Sequence, residues 1–429
     1  MSDEGFDVIV VGAGPAGSIA AYELARKGYQ VALLERGAAA GAKNVTGGRM
    51  YSHALRNVLP EFRDEAPLER QVTVERITFL GEASGTTLEY SDAALANPPY
   101  DSYTLLRADF DAWLASKAEE AGAFLATGVM VDDLLIKDGA VVGVRAGEDE
   151  MEAKIVLAAD GVNSLLAQKA GLRGELRPAE VAVGAKEIIE LGAGKIEDRF
   201  GLESGSGAAQ LYVGDATKGI QGGGFLYTNK ETVSLGVVVS PHKIGAAKVM
   251  LPDVVESFRH NPQVQRLLAG GKVVEYSGHL IPEAGVSMMP KPYRSGFLVL
   301  GDAAGLALNT GYTVRGIDFA IGSGHAAAEA AAEALQKGDV SEAVLAGYLT
   351  RLRNSFVLGE LQLYRDAPSF MEADRIYAAY PQLVEGLMRK LFMVDGTTRE
   401  HLLARMMPVI RQIGLTRLGR DAWRGVHVL

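Results

Sequence analysis

The chain has 429 residues, 48% of them hydrophobic, and its 51 glycines follow no short period, so it can bury more than one compact core and is neither collagen-like nor low-complexity. A net charge of −10 with a pI of about 5.4 argues against nucleic acid as the main partner, and no apolar run approaches the roughly 18 residues of a membrane span. There is no cysteine, which removes disulfides, thiolate nucleophiles, cysteinyl zinc and cysteine-ligated iron–sulfur clusters from this chain; redox chemistry here must use a bound cofactor.

In chain order, "FDVIVVGAGPAGSIAAYELARKGYQVALLERG" predicts strand, tight turn, helix and strand. Val8 to Val11 are continuously apolar, as a strand buried on both faces requires. Gly12, Gly14 and Gly17 then supply the turn, the close approach of a pyrophosphate and the contact of helix with sheet. Pro15 and Ala16 open the helix, whose free N–H groups suit phosphate oxygens. Glu35, followed by Arg36, ends the second strand, where a carboxylate accepts from a ribose diol and repels a 2′-phosphate. The fingerprint marks a dinucleotide site and does not choose between NAD and FAD. The run from Phe6 to Val11 is too short for a signal peptide, and the expected location is cytoplasmic, at most attached to a membrane surface.

Next comes "AGAKNVTGGRMYS", glycine-rich but without the strand and helix of a second phosphate loop. Further on, "AKIVLAADGVNS" predicts a strand ending at Asp160 and Gly161. From about 176 to 285 the pattern is strand-rich and predicts an antiparallel sheet, interrupted by one amphipathic helical insertion, "LPDVVESFRHNPQVQRLLAGG". Then "GFLVLGDAAGLALNTGYTVRGIDFAI" gives a strand, Gly301 and Asp302, a loop and a small-residue helix. An Asp at such a strand end is placed for the sugar-alcohol chain of a flavin, which NAD lacks. Beyond about 340 the pattern is helical, with "SEAVLAGYLTRLRNSFVLGELQLY" expected as one long amphipathic helix. Residues 389 to 429 hold eight Lys/Arg against three Asp/Glu, either a solvated helical face or a surface for anionic lipid or an acidic partner. No His–carboxylate spacing suggests a metal, and no Ser–His–Asp arrangement suggests nucleophilic catalysis.

With these three motifs in order, the chain resembles the FAD-dependent group that includes aromatic hydroxylases, geranylgeranyl reductases and electron-transfer-flavoprotein:quinone oxidoreductases. The stretches "ERGAAAGAKNVTGGRMY", "HLIPEAGVSMMP" and "GDAAGLALNTGYTVRGIDFAI", among others from the N-terminus to "GVHVL", are similar to FixC-type flavoproteins. That resemblance implies an α/β FAD-binding Rossmann-like domain of the glutathione-reductase-2/aromatic-hydroxylase type, an antiparallel-sheet (α+β) substrate domain and a C-terminal helical region. The expected segments are 1–80, 101–175 and 286–340 for the FAD domain, 81–100 for a strand excursion, 176–285 for the substrate domain and 341–429 for partner and membrane docking.

By the same resemblance Gly12, Gly14, Gly17 and Glu35 bind the ADP half of FAD, Arg107 approaches the pyrophosphate and ribityl chain, and Val131 meets the adenine through its backbone. Asp302 binds the ribityl hydroxyls, Gly311, Gly316 and Ile317 line the isoalloxazine, and Lys43, Asn44, Val45 and Gly47 belong to a loop crossing the ring. Tyr276, His279 and Tyr312 are candidates near a quinone, each equally readable as a structural side chain. The implied role is electron transfer to membrane quinone within an NADH-oxidising, electron-bifurcating complex that also reduces ferredoxin or flavodoxin. Its partners are the electron transfer flavoprotein alpha and beta subunits and a small ferredoxin-like iron–sulfur subunit, at the inner face of the membrane. The alternative is a stand-alone geranylgeranyl reductase-like or monooxygenase-like flavoenzyme.

Overall fold

The computed structural model describes residues 5–42 and 47–429. Its first sheet has eight strands. Phe297–Val299, Asp149–Ala158, Phe6–Val11, Val31–Glu35 and Phe124–Thr127 lie side by side in that order, all parallel. Tyr293–Arg294 adds an antiparallel edge, and Asp133–Lys137 and Ala140–Ala146 form a hairpin continued by the start of Asp149–Ala158. Val8, Ile9 and Val10 are fully buried, as expected for a strand covered on both faces. The helix Pro15–Arg26 packs against the Ala-rich helix Ile317–Lys337. A Cβ at Gly324 would stand 2.3 Å from the Ala16 carbonyl oxygen, so the crossing depends on glycine there.

The second sheet has nine strands. Lys272–Pro282, Val181–Glu190, Thr232–Val239, Gly222–Thr228 and Ser206–Gly214 are followed by Leu68–Leu80, Ser102–Leu106 and Gly47–Tyr51, with Gly85–Ser91 on Leu68–Leu80. Four of these strands lie outside the expected 176–285 block, Gly85–Ser91 within the expected 81–100 excursion, and the boundary expected at residue 80 ends a strand that already belongs to this sheet. One pairing, Ser206–Gly214 with Leu68–Leu80, is parallel where an antiparallel sheet was expected. The two strands are distant in sequence, so no tight hairpin dictates their direction.

Two helical expectations are refined. Residues 341–364 form three short helices, Glu342–Leu345, Gly347–Arg353 and Phe356–Leu363, and the last is started by Ser355, whose hydroxyl accepts from the Val357 N–H at 3.2 Å. The insertion is two helices, Leu251–His260 and Pro262–Leu268, because Asn261 caps the second and Pro262 cannot continue the first. Farther on, Ala379–Phe392, Leu402–Ile413 and Leu415–Val428 form a stack, with Gly386 placed so that a Cβ would meet Val409 at 2.8 Å. None of the described helices is long and apolar enough to cross a membrane.

Candidate active site

Between the two sheets lies one cavity of about 1460 Å³. Its nucleotide end is built at the carboxyl edge of the first sheet. Gly12 turns the chain at φ +103°, and its N–H donates to the Leu34 carbonyl at 2.7 Å. A Cβ there would lie 2.2 Å from the Ala159 oxygen, so only glycine permits this turn. Gly14 stands at the helix N-terminus with no side-chain cap and no acid in the first turn, and Gly14, Pro15 and Ala16 all line the cavity. The uncapped N–H groups and the helix dipole thus face open space of the right sign for phosphate. Gly17 does not line the cavity; its Cβ would meet the Gly12 oxygen at 1.9 Å, which makes it the contact of helix with strand.

Glu35 is held by two main-chain donors, Ala13 N–H at 3.1 Å and Gly37 N–H at 2.7 Å, leaving carboxylate lone pairs toward the cavity it lines with Arg36. Val131 joins that wall beside Val129 and Met130. Asp160 also lines it. Its Oδ2 accepts from Leu166 N–H at 3.0 Å, while Oδ1 is buried with no partner among the described residues, and burial raises its pKa. An orphaned oxygen facing a cavity of this chemistry awaits a donor from whatever fills the space. Gly161, at φ +78°, turns the chain beside it.

Midway, Arg107 opens the helix Arg107–Glu120 and is gripped by Asp111 at 2.7 and 2.6 Å. Asp302 and Lys186 line the same region. Burial pushes the Asp302 carboxyl up, partly offset by Arg107 and Lys186. Lys186 is brought down to about 8 by burial and by the Arg107 charge. Gly301 lies under the wall, at φ +57°, its would-be Cβ 2.9 Å from that of Ala16. The hairpin of Leu308–Asn309 with Val314–Arg315 brings Gly311, Tyr312, Gly316 and Ile317 into the cavity.

His279 reaches the cavity, and burial together with Lys186 and Arg107 lowers its pKa to about 4, so the ring is neutral near pH 7. Tyr276 does not: three positions away on the same strand it falls on the opposite face, 49% exposed. Gly47 pairs with Leu106 in the second sheet, and its neighbours Gly48 and Arg49 line the cavity. Lys43, Asn44 and Val45 lie outside the described residues.

Sequence reasoning missed Lys186 and Glu283. Lys186 interrupts the apolar strand "VAVGAKEIIE", which was the available signal. Glu283 follows the strand in "HLIPEAG"; burial pushes its carboxyl up to about 7, against the Asn309 amide at 3.3 and 3.4 Å.

The uncapped helix start, the glycine cradle, the fixed Glu35 and the orphaned Asp160 oxygen suit a large anionic dinucleotide. Residues 7–95 match the FAD dependent oxidoreductase family model, and the protein is an FAD-dependent oxidoreductase. Residues 367–429 match the ETF-QO/FixC family C-terminal domain. The chain is 47% identical over 429 residues to Protein FixC of Escherichia coli (strain K12), covering 100% of both chains. It is 43% identical, again covering 100% of both, to the probable electron transfer flavoprotein-quinone oxidoreductase YdiS of the same strain. It belongs to the FixC/electron transfer flavoprotein–quinone oxidoreductase family. A solved geranylgeranyl bacteriochlorophyll reductase-like protein of Thermoplasma acidophilum shares the fold at a TM-score of 0.73, with 22% identity and coverage of 97% of this chain and 98% of that one.

Proposed function

We propose that this chain accepts electrons from an electron transfer flavoprotein onto FAD and delivers them to a membrane quinone, within an NADH-oxidising, electron-bifurcating complex that also reduces ferredoxin or flavodoxin. The observation that carries the reading is the two-ended cavity. A single ligand pocket usually spans about 300–1,000 Å³, and about 1460 Å³ leaves room for an acceptor beside a dinucleotide. One end is the glycine cradle. The other is walled by Pro368, Met371, Tyr377 and Tyr380, all within the region that matches the FixC family C-terminal domain.

In this reading Gly12, Gly14 and the start of the helix Pro15–Arg26 hold the pyrophosphate with Arg107, Glu35 binds the ribose, and the Val131 backbone meets the adenine. Asp160 and Asp302 accept from cofactor hydroxyls, and Gly311, Gly316 and Ile317 border the isoalloxazine. FAD supplies the redox chemistry; the chain's part is to orient it, exclude water and manage protons. Tyr312 borders the acceptor region, and His279, near Lys186 and Arg107, is a neutral hydrogen-bonding group on the cofactor side.

A cysteine-free chain cannot ligate an iron–sulfur cluster through thiolates, so a separate ferredoxin-like subunit joins the alpha and beta subunits of the flavoprotein. Attachment to the membrane surface is supported by Phe392, Val394, Leu403, Trp423 and Val426, each at least 70% exposed on the basic C-terminal region.

Anaerobic stopped flow tests the proposal. The purified flavoprotein is chemically reduced and mixed with a water-soluble quinone analogue. Saturable reoxidation supports the acceptor site; a reduced protein that ignores quinone but reacts with a prenyl double bond, or with oxygen and an aromatic substrate, overturns it.

A further inference from the structure

We propose that Glu283 is the acid that protonates the acceptor, fed from a second, water-sized cavity beside it. This rests on the quinone-reducing function proposed above. The geometry is that of a shared wall. Glu283 lines both the large cavity and a small one of about 10 Å³, room for about one water. Asn309 and Pro368 border both spaces, so the carboxyl stands where an organic acceptor and a water can each reach it.

Its surroundings leave the acid protonated near neutrality. Burial in apolar walls, including Leu308 and Leu361, disfavours the carboxylate, and the Asn309 amide is its polar side-chain partner among the described residues. Tyr364 lines the small cavity, Tyr377 interacts with Glu283 from the C-terminal side, and Glu180 meets it through the main chain, its carbonyl accepting from Glu283 N–H at 2.9 Å. The His279 ring, its pKa brought down to about 4, carries no extra proton to give at pH 7.

The step balances. Quinone takes two electrons and two protons to become quinol. Bound FAD, once reduced, would supply the two electrons and one of the protons. The remaining proton leaves Glu283 for a quinone oxygen, and the carboxylate is reprotonated through water in the small cavity. A general acid with a pKa near the working pH serves both halves of that cycle.

The test uses the FAD-loaded protein and Glu283→Gln, with two readouts. Infrared difference spectroscopy against pH, which needs no turnover, is expected to show a carboxyl band vanishing around pH 7 in the wild type and missing in the variant. Stopped-flow reoxidation by a soluble quinone is expected to be on the order of 100-fold slower in Glu283→Gln. The wild-type rate should fall as pH rises through 7, and the variant should lack that decline. Should Glu283→Gln not hold FAD, Asn309→Ala replaces it: losing the amide, which favours the carboxylate, moves the wild-type decline to higher pH. A Glu283→Gln protein reoxidised at the wild-type rate with the wild-type pH profile overturns the role. A wild type that ignores quinone altogether overturns the proposed function instead, while its infrared titration still reports the poise of Glu283.

Discussion

Arg375 grips Asp421 with two hydrogen bonds, Nε to Oδ2 and Nη2 to Oδ1, the latter at 2.8 Å, and the Tyr380 hydroxyl donates to the same carboxylate. Asp421 is 5% exposed and lies in the helix Leu415–Val428, while Tyr380, beside it, lines the cavity. A residue of the last helix is therefore tied to the wall of the acceptor region. Tyr312 makes a second tie, its hydroxyl donating to the Leu429 carbonyl oxygen at 2.7 Å.

The Arg375 hydrogen bonds hold the Asp421 carboxyl down at about 2. A carboxylate depressed below its unfolded value adds stability above the unfolded pKa of about 3.8, and that stability is lost as pH falls through 3.8 toward 2. Asp421→Asn should cost on the order of 1–2 kcal/mol at neutral pH, after allowance for solvent screening, and nothing below about pH 2. Thermal unfolding at pH 7 and at the lowest pH where the fold persists measures this. Equal destabilisation of the variant at both would show that the pair contributes no linkage.

Gly17 tests the nucleotide cradle. A Cβ there would stand 1.9 Å from the Gly12 oxygen, and a backbone atom cannot rotate away. Gly17→Ala should part the helix Pro15–Arg26 from the sheet and give a protein that purifies without yellow colour. The control is Gly194→Ala, near the start of the helix Ala193–Phe200, where a Cβ meets nothing within 4 Å. That substitution should keep FAD and add up to about 1 kcal/mol through helix propensity. Absorbance per protein at the flavin band separates the two; normal flavin content in Gly17→Ala would refute the cradle.

The legible and illegible parts of the site divide on physical grounds. The cradle was readable because each glycine answers a local demand, a turn or a close approach, that sequence spacing expresses directly. The second sheet was only half readable. The strand Leu68–Leu80 pairs with Ser206–Gly214, and no hairpin signal connects partners so far apart. Tyr276 and His279 were read as companions, yet an odd spacing on a strand puts them on opposite faces. The break before Phe356 depends on a single serine hydroxyl, which a hydrophobic pattern does not register. Lys186 and Glu283 escaped because a charge inside an apolar stretch reveals its facing only once register is known.

Arg315 holds the hairpin that borders the proposed flavin ring. It pairs with Asp318, 1% exposed, and Glu360, while its guanidinium lies 4.9 Å from the Phe319 ring centre. Removing one partner of a buried pair leaves the other uncompensated, a loss of roughly 3 kcal/mol or more. His53 Nε2, 3.1 Å from Asp318, remains as a hydrogen-bonding neighbour. Arg315→Met should therefore lower the unfolding temperature and, because Gly316 and Ile317 follow directly, weaken FAD retention on dialysis. A variant as stable as the wild type would show that the pair is not a structural tie.

Lys186 supplies the last prediction. Its ammonium is brought down to about 8 by burial and by the Arg107 charge, partly offset by the Asp302 carboxylate. In the unliganded protein Lys186 thus loses its proton as pH rises through about 8. An anionic dinucleotide in the same cavity favours the charged form, so binding above pH 8 should take up a proton. Affinity for FAD should then weaken as pH rises from 8 to 9.5, by up to about tenfold per pH unit for one linked proton. Lys186→Met should bind more weakly at pH 7 and show no such slope. Fluorescence titration of the apoprotein with FAD, at several pH values for both proteins, decides it. A wild-type affinity constant across that range would mean that Lys186 does not sense the cofactor's charge.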